Sequence, residues 1–349
     1  MTSYHKTIQI SKHKIGWDYP PLVIAEIGIN HNGSLQTAKE MASAACKAGA
    51  DIIKHQTHIP EEEMSPEAKQ KIPGNSPYSI WDIMSRCALN EADERDLKKF
   101  VEDCGSVFIS TPFSFAAVDR LEKFSVPAYK IGSGEMNNLP LVDYVARTGK
   151  PIILSTGMNT LDEVRRAVDT LTRHHEQFIL MHTTNLYPTP ARLVRLGALL
   201  ELQKAFPNEI IGLSDHSSNN LACLAAVALG ACVLERHFTD SKMRSGEDIC
   251  CSMTPDELKQ LKEQSAEIAL MRGGTKQPAE EEKITIEFAF SSIVSARDLP
   301  AGTVLCRQDI TAKRPAGGIP AADMEKIIGK KLRHFVVKNR QIKWEDLYE

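Results

Sequence analysis

The chain has 349 residues, with 42 Lys plus Arg against 45 Asp plus Glu, so its net charge is 42 − 45 = −3. At roughly 150 residues per domain, that length fits two domains or one large domain with an appendage. Charged residues at 25% and hydrophobic residues at 42% exclude wholesale disorder, and so even a balance gives no electrostatic case for nucleic acid or an anionic membrane. An anionic small substrate stays open, because a local cluster of Lys, Ser and Asn binds phosphate without changing the total.

No stretch reaches the roughly 18 uncharged apolar residues of a spanning helix. The first residues, MTSYHKTIQISKHKIGWDYPP, lack the apolar core of a signal peptide. The eight cysteines form no C-x-x-C pair and no dense framework. They read as reduced thiols of a cytoplasmic protein.

In chain order, T-I-Q-I and K-H-K-I-G-W alternate in strand fashion, which predicts a hairpin. Eight short apolar runs rich in β-branched residues follow: Pro21–Asn30, Ala50–His58, Val107–Phe113, Pro127–Gly134, Pro151–Met158, Phe178–Asn185, Ile210–His216 and Cys232–Thr239. Continuous apolar runs suit strands buried on both faces of a parallel sheet. Helical patterns lie between them, over Leu35–Gly49, Asn90–Gly105, Leu161–His175, Asn219–Gly230 and Thr254–Gly273. The last opens on T-P-D-E, a Thr cap with Pro at the first helical position and acids behind it. Eight βα units in about 250 residues predict an α/β fold, a (β/α)8 TIM barrel, with the hairpin plugging its bottom. An open doubly wound sheet is the rival, but its first turn would read G-x-G-x-x-G, and G-I-N-H-N-G-S is a poor match. Segment 59–87 is long for a βα connection, which marks it as functional. Barrel and hairpin occupy 1–274, a polar acidic linker 275–287, and a small unit 288–349 with strands at Ser291–Ser295 and Phe335–Val337. About sixty residues is small for an independent fold, so this unit is expected to pack on something such as another subunit.

Barrel active sites lie at the carboxyl ends of the strands. Those ends read Glu26, Asn30 and His31; Lys54, Gln56 and His58; Ser110 and Thr111; Lys130, Ser133 and Glu135; Ser155 and Thr156; Thr183 and Asn185; Ser214, Asp215 and His216; Glu235, Arg236 and His237. So many polar groups on apolar strands are costly unless they meet each other or a ligand. Lys54 and Lys130, with Ser133, Ser155, Ser214 and Asn185, suit a phosphate or carboxylate; the alternative is two lysines snorkelling to water. His216 and His237 end neighbouring strands about 4.8 Å apart and can share a divalent metal ion; the alternative is a hydrogen-bonded pair, and His31, His58 and His182 are rival ligands. Glu26, Glu135 and Asp248 are carboxylates able to hold sugar hydroxyls or move a proton, or to serve as partners of the lysines. The residues alone point to a metal-assisted barrel enzyme handling a small phosphorylated anion.

The motifs E-I-G-I-N-H-N-G (26–33), K-H-Q-T-H (54–58), I-P-G-N (72–75), F-I-S-T-P-F (108–113), Y-K-I-G-S-G-E (129–135), L-S-T-G-M (154–158), Y-P-T-P (187–190), G-L-S-D-H (212–216) and E-R-H-F-T (235–239) resemble the N-acetylneuraminate (sialic acid) synthase family in its bacterial form. S-A-R-D-L-P-A-G and K-R-P-A-G-G in the small unit resemble that family's C-terminal antifreeze-like (SAF) domain. The resemblance implies condensation of phosphoenolpyruvate with N-acetylmannosamine, giving N-acetylneuraminate and phosphate. It implies Mn or Mg on His216 and His237. It implies phosphoenolpyruvate contacts at Lys54, Thr111, Lys130, Ser133, Ser155, Asn185 and Ser214, and sugar contacts at Glu26, Gln56, Asn75, Tyr187 and Asp248. Glu135 is the candidate for the water proton. Arg314 would reach the partner subunit's site in a domain-swapped homodimer, with Phe288 lining the same cavity. Legionaminic and pseudaminic acid synthases, which take diacetamido-trideoxy hexoses, are the alternative within the family, and a phosphorylated acceptor is another. A non-catalytic sugar- or ice-binding protein is the alternative outside it.

Overall fold

The structure, a computed structural model, describes residues 6–74 and 76–348. It divides into two compact units, Met1–Gly273 and Gly274–Glu349. In the first, β1 (Ile8–Ile10) and β2 (His13–Ile15) form an antiparallel hairpin. Eight parallel strands follow: β3 (Leu22–Gly28), β4 (Ile52–Thr57), β5 (Val107–Pro112), β6 (Tyr129–Ile131), β7 (Ile152–Ser155), β8 (Phe178–Thr183), β9 (Ile210–Asp215) and β10 (Val233–His237). All eight runs form strands, and β10 pairs with β3 to close the barrel. Closure rules out the open doubly wound sheet, which keeps two free edges.

The barrel strands are buried on both faces because alternate residues enter different cores. Val23, Ala25, Ile53, Phe108, Ile152, Leu154, Leu180 and Leu234 face the surrounding helices. Leu22, Ile24, Ile52, Ile109, Ile153, Ile179, Met181 and Val233 fill the barrel interior, and Ile8, Ile10 and Ile15 of the hairpin join them, plugging one end as the alternation predicted. Interior positions two residues further along each strand are no longer apolar, and this change of character positions the site.

The helices start where their caps place them. Ser34 accepts from Thr37 N–H before Leu35–Lys47, and Asn90 accepts from two N–H groups before Glu91–Asp103. Thr160 and Thr254 form capping boxes with Glu163 and Glu257 ahead of Leu161–Thr172 and Pro255–Met271. Each such cap contributes about 1 kcal/mol. The long segment after β4 contains two short helical turns (Pro60–Glu63 and Pro66–Gln70) and the helix Ile80–Cys87 before the barrel helix at 91–103 begins.

The second unit departs from expectation in three places. Segment 275–287 holds a 3-10 turn (Glu280–Glu282) and most of a helix (Lys283–Ala289), because its acidic residues open a helix of Ile and Phe. Phe335–Val337 contributes one bridge, Val336 to Leu299, and not a strand; only Val336 of the three is buried. The partner of β11 (Ser292–Ser295) is instead β12 (Ile310–Lys313), whose sequence I-T-A-K buries only Ile310 and so carried no strand signal. Ten aliphatic residues from Ile293 to Leu347 make this unit's core.

Candidate active site

Above the barrel's aliphatic interior lies a layer of charge. Lys54 on β4 pairs with Glu26 on β3, which stands opposite it in register. Its Nζ also lies 3.6 Å from Glu235 Oε1 on β10 and donates to Thr111 Oγ1 at 3.2 Å. Lys130 on β6 reaches the same Glu235 oxygen at 3.7 Å and donates to Ser155 Oγ at 2.6 Å, while Ser214 Oγ donates to that oxygen at 3.2 Å. Neither lysine snorkels to solvent: both are 3% exposed.

Burial sets the proton affinities of this layer. Burial, aided by Glu235 and opposed by Lys54, pushes Glu26 up to about 7. Lys130 falls to about 8 through burial and its neighbour Lys54, against Glu235. In Glu235 burial is outweighed by Lys130 and Lys54, and its carboxyl is held below the usual range. Two ammonium groups therefore face one firm carboxylate and one whose proton affinity burial has raised, which suits an incoming anion.

His216 and His237 stand beside this layer with ring centroids 5.3 Å apart. His216 Nδ1–H donates to Thr184 O at 2.9 Å, leaving Nε2 its lone pair. His237 Nδ1 is buried without a hydrogen-bond partner, with Asp248 Oδ2 3.7 Å away. Burial, with the two rings' mutual repulsion for His216 and with Lys54 for His237, lowers them to about 4 and about 3. Both are neutral imidazoles, the form that binds a cation. No group of three or more His, Cys, Asp or Glu that could hold a metal ion occurs among the described residues; the donors with chemistry suited to a divalent ion here are these two neutral imidazoles.

These groups line one cavity of about 140 Å³, together with Gln56, Thr111, Ser133, Ser155, Asn185, Tyr187 and Ser214. The Tyr187 ring stacks on His216 at 4.2 Å. Thr183 Oγ1, Asn185 Oδ1 and Glu235 Oε2 are buried there without hydrogen-bond partners. A larger hollow of about 760 Å³, beside Lys6, Trp17, Glu209 and Ile210, lacks such a set, and its Lys6 is paired with Glu209.

Other candidates fall elsewhere. Asp248 is buried near His237, and burial, opposed by His216, raises it to about 6. Glu135 is half-buried outside the cavity lining; it accepts from Asn138 at 3.2 Å, and burial raises it. Asn75 lies outside the described residues. Phe288 and Arg314 are exposed residues of the second unit. Of the rival histidines, His182 Nε2–H donates to Val194 O at 2.7 Å and His58 bridges Glu63 and Gln56, while His31 stacks on His55 at 5.2 Å with its Nε2 buried and without a hydrogen-bond partner. Glu235, to which the sequence assigns no role beyond its strand end, joins both lysines. Strand period puts it on the same face as His237, and that signal was available. Arg236, between them, points the other way and ties Ser217 O and Asn220 together.

Glycines keep this end of the barrel open. Gly28, at φ +49°, sits where the β3–β4 register shifts, and a Cβ there would lie 2.7 Å from Glu26 Oε1. At Gly157 a Cβ would lie 2.0 Å from Asn185 Oδ1 and 2.8 Å from Ser133 Oγ. Gly157→Ala is expected to cost about 1–3 kcal/mol in urea unfolding and to push Asn185 out of the cavity; an unchanged midpoint would refute the close packing.

A closed parallel barrel with lysines, hydroxyls and neutral histidines converging at one mouth defines an enzyme acting on an anion. The NeuB family profile matches residues 41–277 and the SAF domain profile residues 290–347. The N,N'-diacetyllegionaminic acid synthase of Campylobacter jejuni is 37% identical over 322 residues, covering 88% of this chain and 95% of that one. Human N-acetylneuraminate-9-phosphate synthase is 33% identical, covering 91% of this chain and 90% of that one. A sialic acid synthetase structure from Leptospira borgpetersenii superposes with TM-score 0.75 at 29% identity, covering 82% of this chain and 97% of that one. The chain belongs to the NeuB family, the sialic, legionaminic and pseudaminic acid synthases, and is an enzyme of nonulosonic acid synthesis.

Proposed function

We propose that this enzyme condenses phosphoenolpyruvate with open-chain N-acetylmannosamine and water, giving N-acetylneuraminate and inorganic phosphate. The observation that carries the reading is the cradle of Lys54, Lys130, Thr111, Ser155 and Ser214 beside two neutral histidines. Phosphate release from phosphoenolpyruvate that depends on an added amino sugar tests it; no release with any amino sugar refutes it. A diacetamido-trideoxy hexose is the second reading, favoured by the higher identity to the legionaminic acid synthase than to the human enzyme, and acceptors assayed side by side separate the two.

In this reading C3 of phosphoenolpyruvate attacks the aldehyde carbon, water adds at C2, and the tetrahedral intermediate loses phosphate. Lys54 and Lys130 hold the phosphate and neutralise it as it leaves. Glu235 keeps both ammonium groups aimed at that position. Glu26, Gln56, Tyr187 and Asp248 hold the sugar. Glu135, whose carboxyl burial has raised, moves the water proton from the rim. His216 and His237 would hold a divalent ion such as Mn or Mg, which when bound supplies Lewis-acid polarisation of the sugar aldehyde.

Lys130 gives this chemistry a pH limit. With its proton affinity lowered to about 8, it is charged below that pH and neutral above it. Because kcat/KM reports the free enzyme, kcat/KM for phosphoenolpyruvate is expected to fall as pH rises through about 8. A profile flat to pH 10 would exclude the charge of Lys130 from binding.

Arg314 is exposed on a loop held by bonds to Pro315 O from Ser292 Oγ (2.9 Å) and Gln341 Nε2 (2.9 Å). We infer that it serves the site of a partner copy in a domain-swapped homodimer and holds the sugar's N-acetyl group. Arg314→Ala should raise KM for the sugar more than for phosphoenolpyruvate, and mixing it with a His216 variant should restore turnover; equal changes in both KM values would oppose the contact.

A further inference from the structure

Gln56 is the member of the sugar side that faces two ways. Its Nε2–H donates to Glu26 Oε1 at 3.2 Å, and its Oε1 accepts from His58 Nε2–H at 3.0 Å. A carboxamide has two orientations related by a half-turn, and only one presents a donor to Glu26. The ring of His58 selects that orientation. His58 is itself fixed on two sides: Nδ1 faces both carboxylate oxygens of Glu63 at 3.0 Å, so that with Nε2 donating to Gln56 both ring nitrogens carry a proton and the pair is imidazolium with carboxylate, and the ring stacks on Phe113 at 4.3 Å. The His58 and Glu63 side chains are 2% and 5% exposed, so water does not compete for these bonds. Glu63 closes the short helix Pro60–Glu63, the first turn of the long segment after β4. One continuous chain of hydrogen bonds therefore runs from that turn through His58 and Gln56 to a carboxylate paired with Lys54.

We propose that His58 and Glu63 are positioning residues that hold the Gln56 carboxamide against Glu26, so that the first turn of segment 59–87 sets the aim of the sugar-binding side. The proposal rests on the assignment of Glu26 and Gln56 to the acceptor sugar. His58, a rival metal ligand by sequence, has both ring nitrogens occupied and acts through Gln56 alone. On the phosphate side Lys130, Ser155 and Ser214 lie off this chain of bonds, and Lys54 meets it only at Glu26, through the oxygen that Gln56 does not touch. A defect in it should therefore divide the two substrates.

The test is steady-state kinetics on Glu63→Ala, Glu63→Gln, Gln56→Ala and the double variant Glu63→Ala/Gln56→Ala, with thermal melts as folding controls. Glu63→Ala should raise KM for the amino sugar about tenfold and leave KM for phosphoenolpyruvate within about twofold. Glu63→Gln, whose amide can donate to an unprotonated Nδ1 and so keep the proton on Nε2, should recover most of the loss. In the Gln56→Ala background, Glu63→Ala should add nothing, because residues acting in series do not add. Equal rises in both KM values, or additive effects in the double variant, would overturn the proposal. If Glu63→Ala does not fold, His58→Leu makes the same comparison. Absence of phosphate release by the wild type would remove the functional reading, and a crystal structure of the Glu63→Ala variant then decides the linkage without turnover. A Gln56 carboxamide turned from Glu26 supports it, and one still at 3.2 Å overturns it.

Discussion

His216→Ala is expected to reduce phosphate release by roughly a thousandfold or more. The change removes one of two neutral imidazoles whose centroids are 5.3 Å apart, and with it one of the two ligands that the proposed function gives a divalent ion. Several kcal/mol of transition-state stabilisation are attributed to such an ion, and each 1.36 kcal/mol is a decade in rate. The fold should survive. His216 lies past the end of β9, its Nδ1–H bonds a single loop carbonyl, and an exchange to Ala leaves a polar gap that water can fill. Two measurements separate the explanations: turnover with added Mn or Mg, and ion content after dialysis by mass spectrometry. Full activity of the variant in a chelator would end the metal role. Loss of turnover with undiminished ion content would assign His216 to direct contact with substrate.

Lys54→Met should both unfold more easily and fail to use phosphoenolpyruvate. Methionine fills the volume of the lysine stem, so packing is nearly conserved, and the effect reports charge. Without Lys54, Glu26 and Glu235 lose an ammonium that Glu26 pairs with directly and that lies 3.6 Å from Glu235. Leaving buried carboxylates uncompensated costs about 3–5 kcal/mol. The pH dependence has a definite sign. Burial already lifts Glu26 from 4.5 to about 7, and Lys54 is the main opposing influence, so its loss lifts the carboxyl further. A carboxyl whose folded value exceeds its unfolded value takes up protons on folding, so stability falls as pH rises from about 4.5 through the raised folded value. The deficit of Lys54→Met in urea unfolding should accordingly be larger at pH 8 than at pH 5. A deficit independent of pH would mean that packing, not charge, is what Lys54 supplies.

The eight barrel strands, the hairpin and the helices Leu35–Lys47, Glu91–Asp103, Leu161–Thr172, Leu221–Ala228 and Pro255–Met271 were legible in the sequence because each depends on local pattern, whereas Phe115–Lys123, Leu139–Ala146 and Leu196–Ala205 were not read from it. Apolar runs of four to eight residues mark strands covered on both sides, and Ser34, Asn90, Thr160 and Thr254 mark helix starts through hydrogen bonds within their own turn. The second unit was less legible because its strands are short and half-exposed: β12 buries one residue of four, and Phe335–Val337 offers one buried residue and a single bridge. Most of the site was legible because barrel strands end at one mouth, so residues such as Lys54, Lys130, His216 and His237 converge whatever their distance along the chain. Which partner each one takes was not.

Only the closed barrel brings Glu235 on β10 between lysines on β4 and β6, because contact across a barrel depends on strand tilt and register, which no single strand encodes. Only the packed structure stacks His31 on His55, ties His182 to Val194 O and gives both nitrogens of His58 to Glu63 and Gln56. The residue types at the strand ends followed from the sequence by itself. Their pairing, and the proton affinities that burial and neighbouring charge impose on Glu26, Lys130, His216 and His237, arise only when the tertiary structure excludes water from around them.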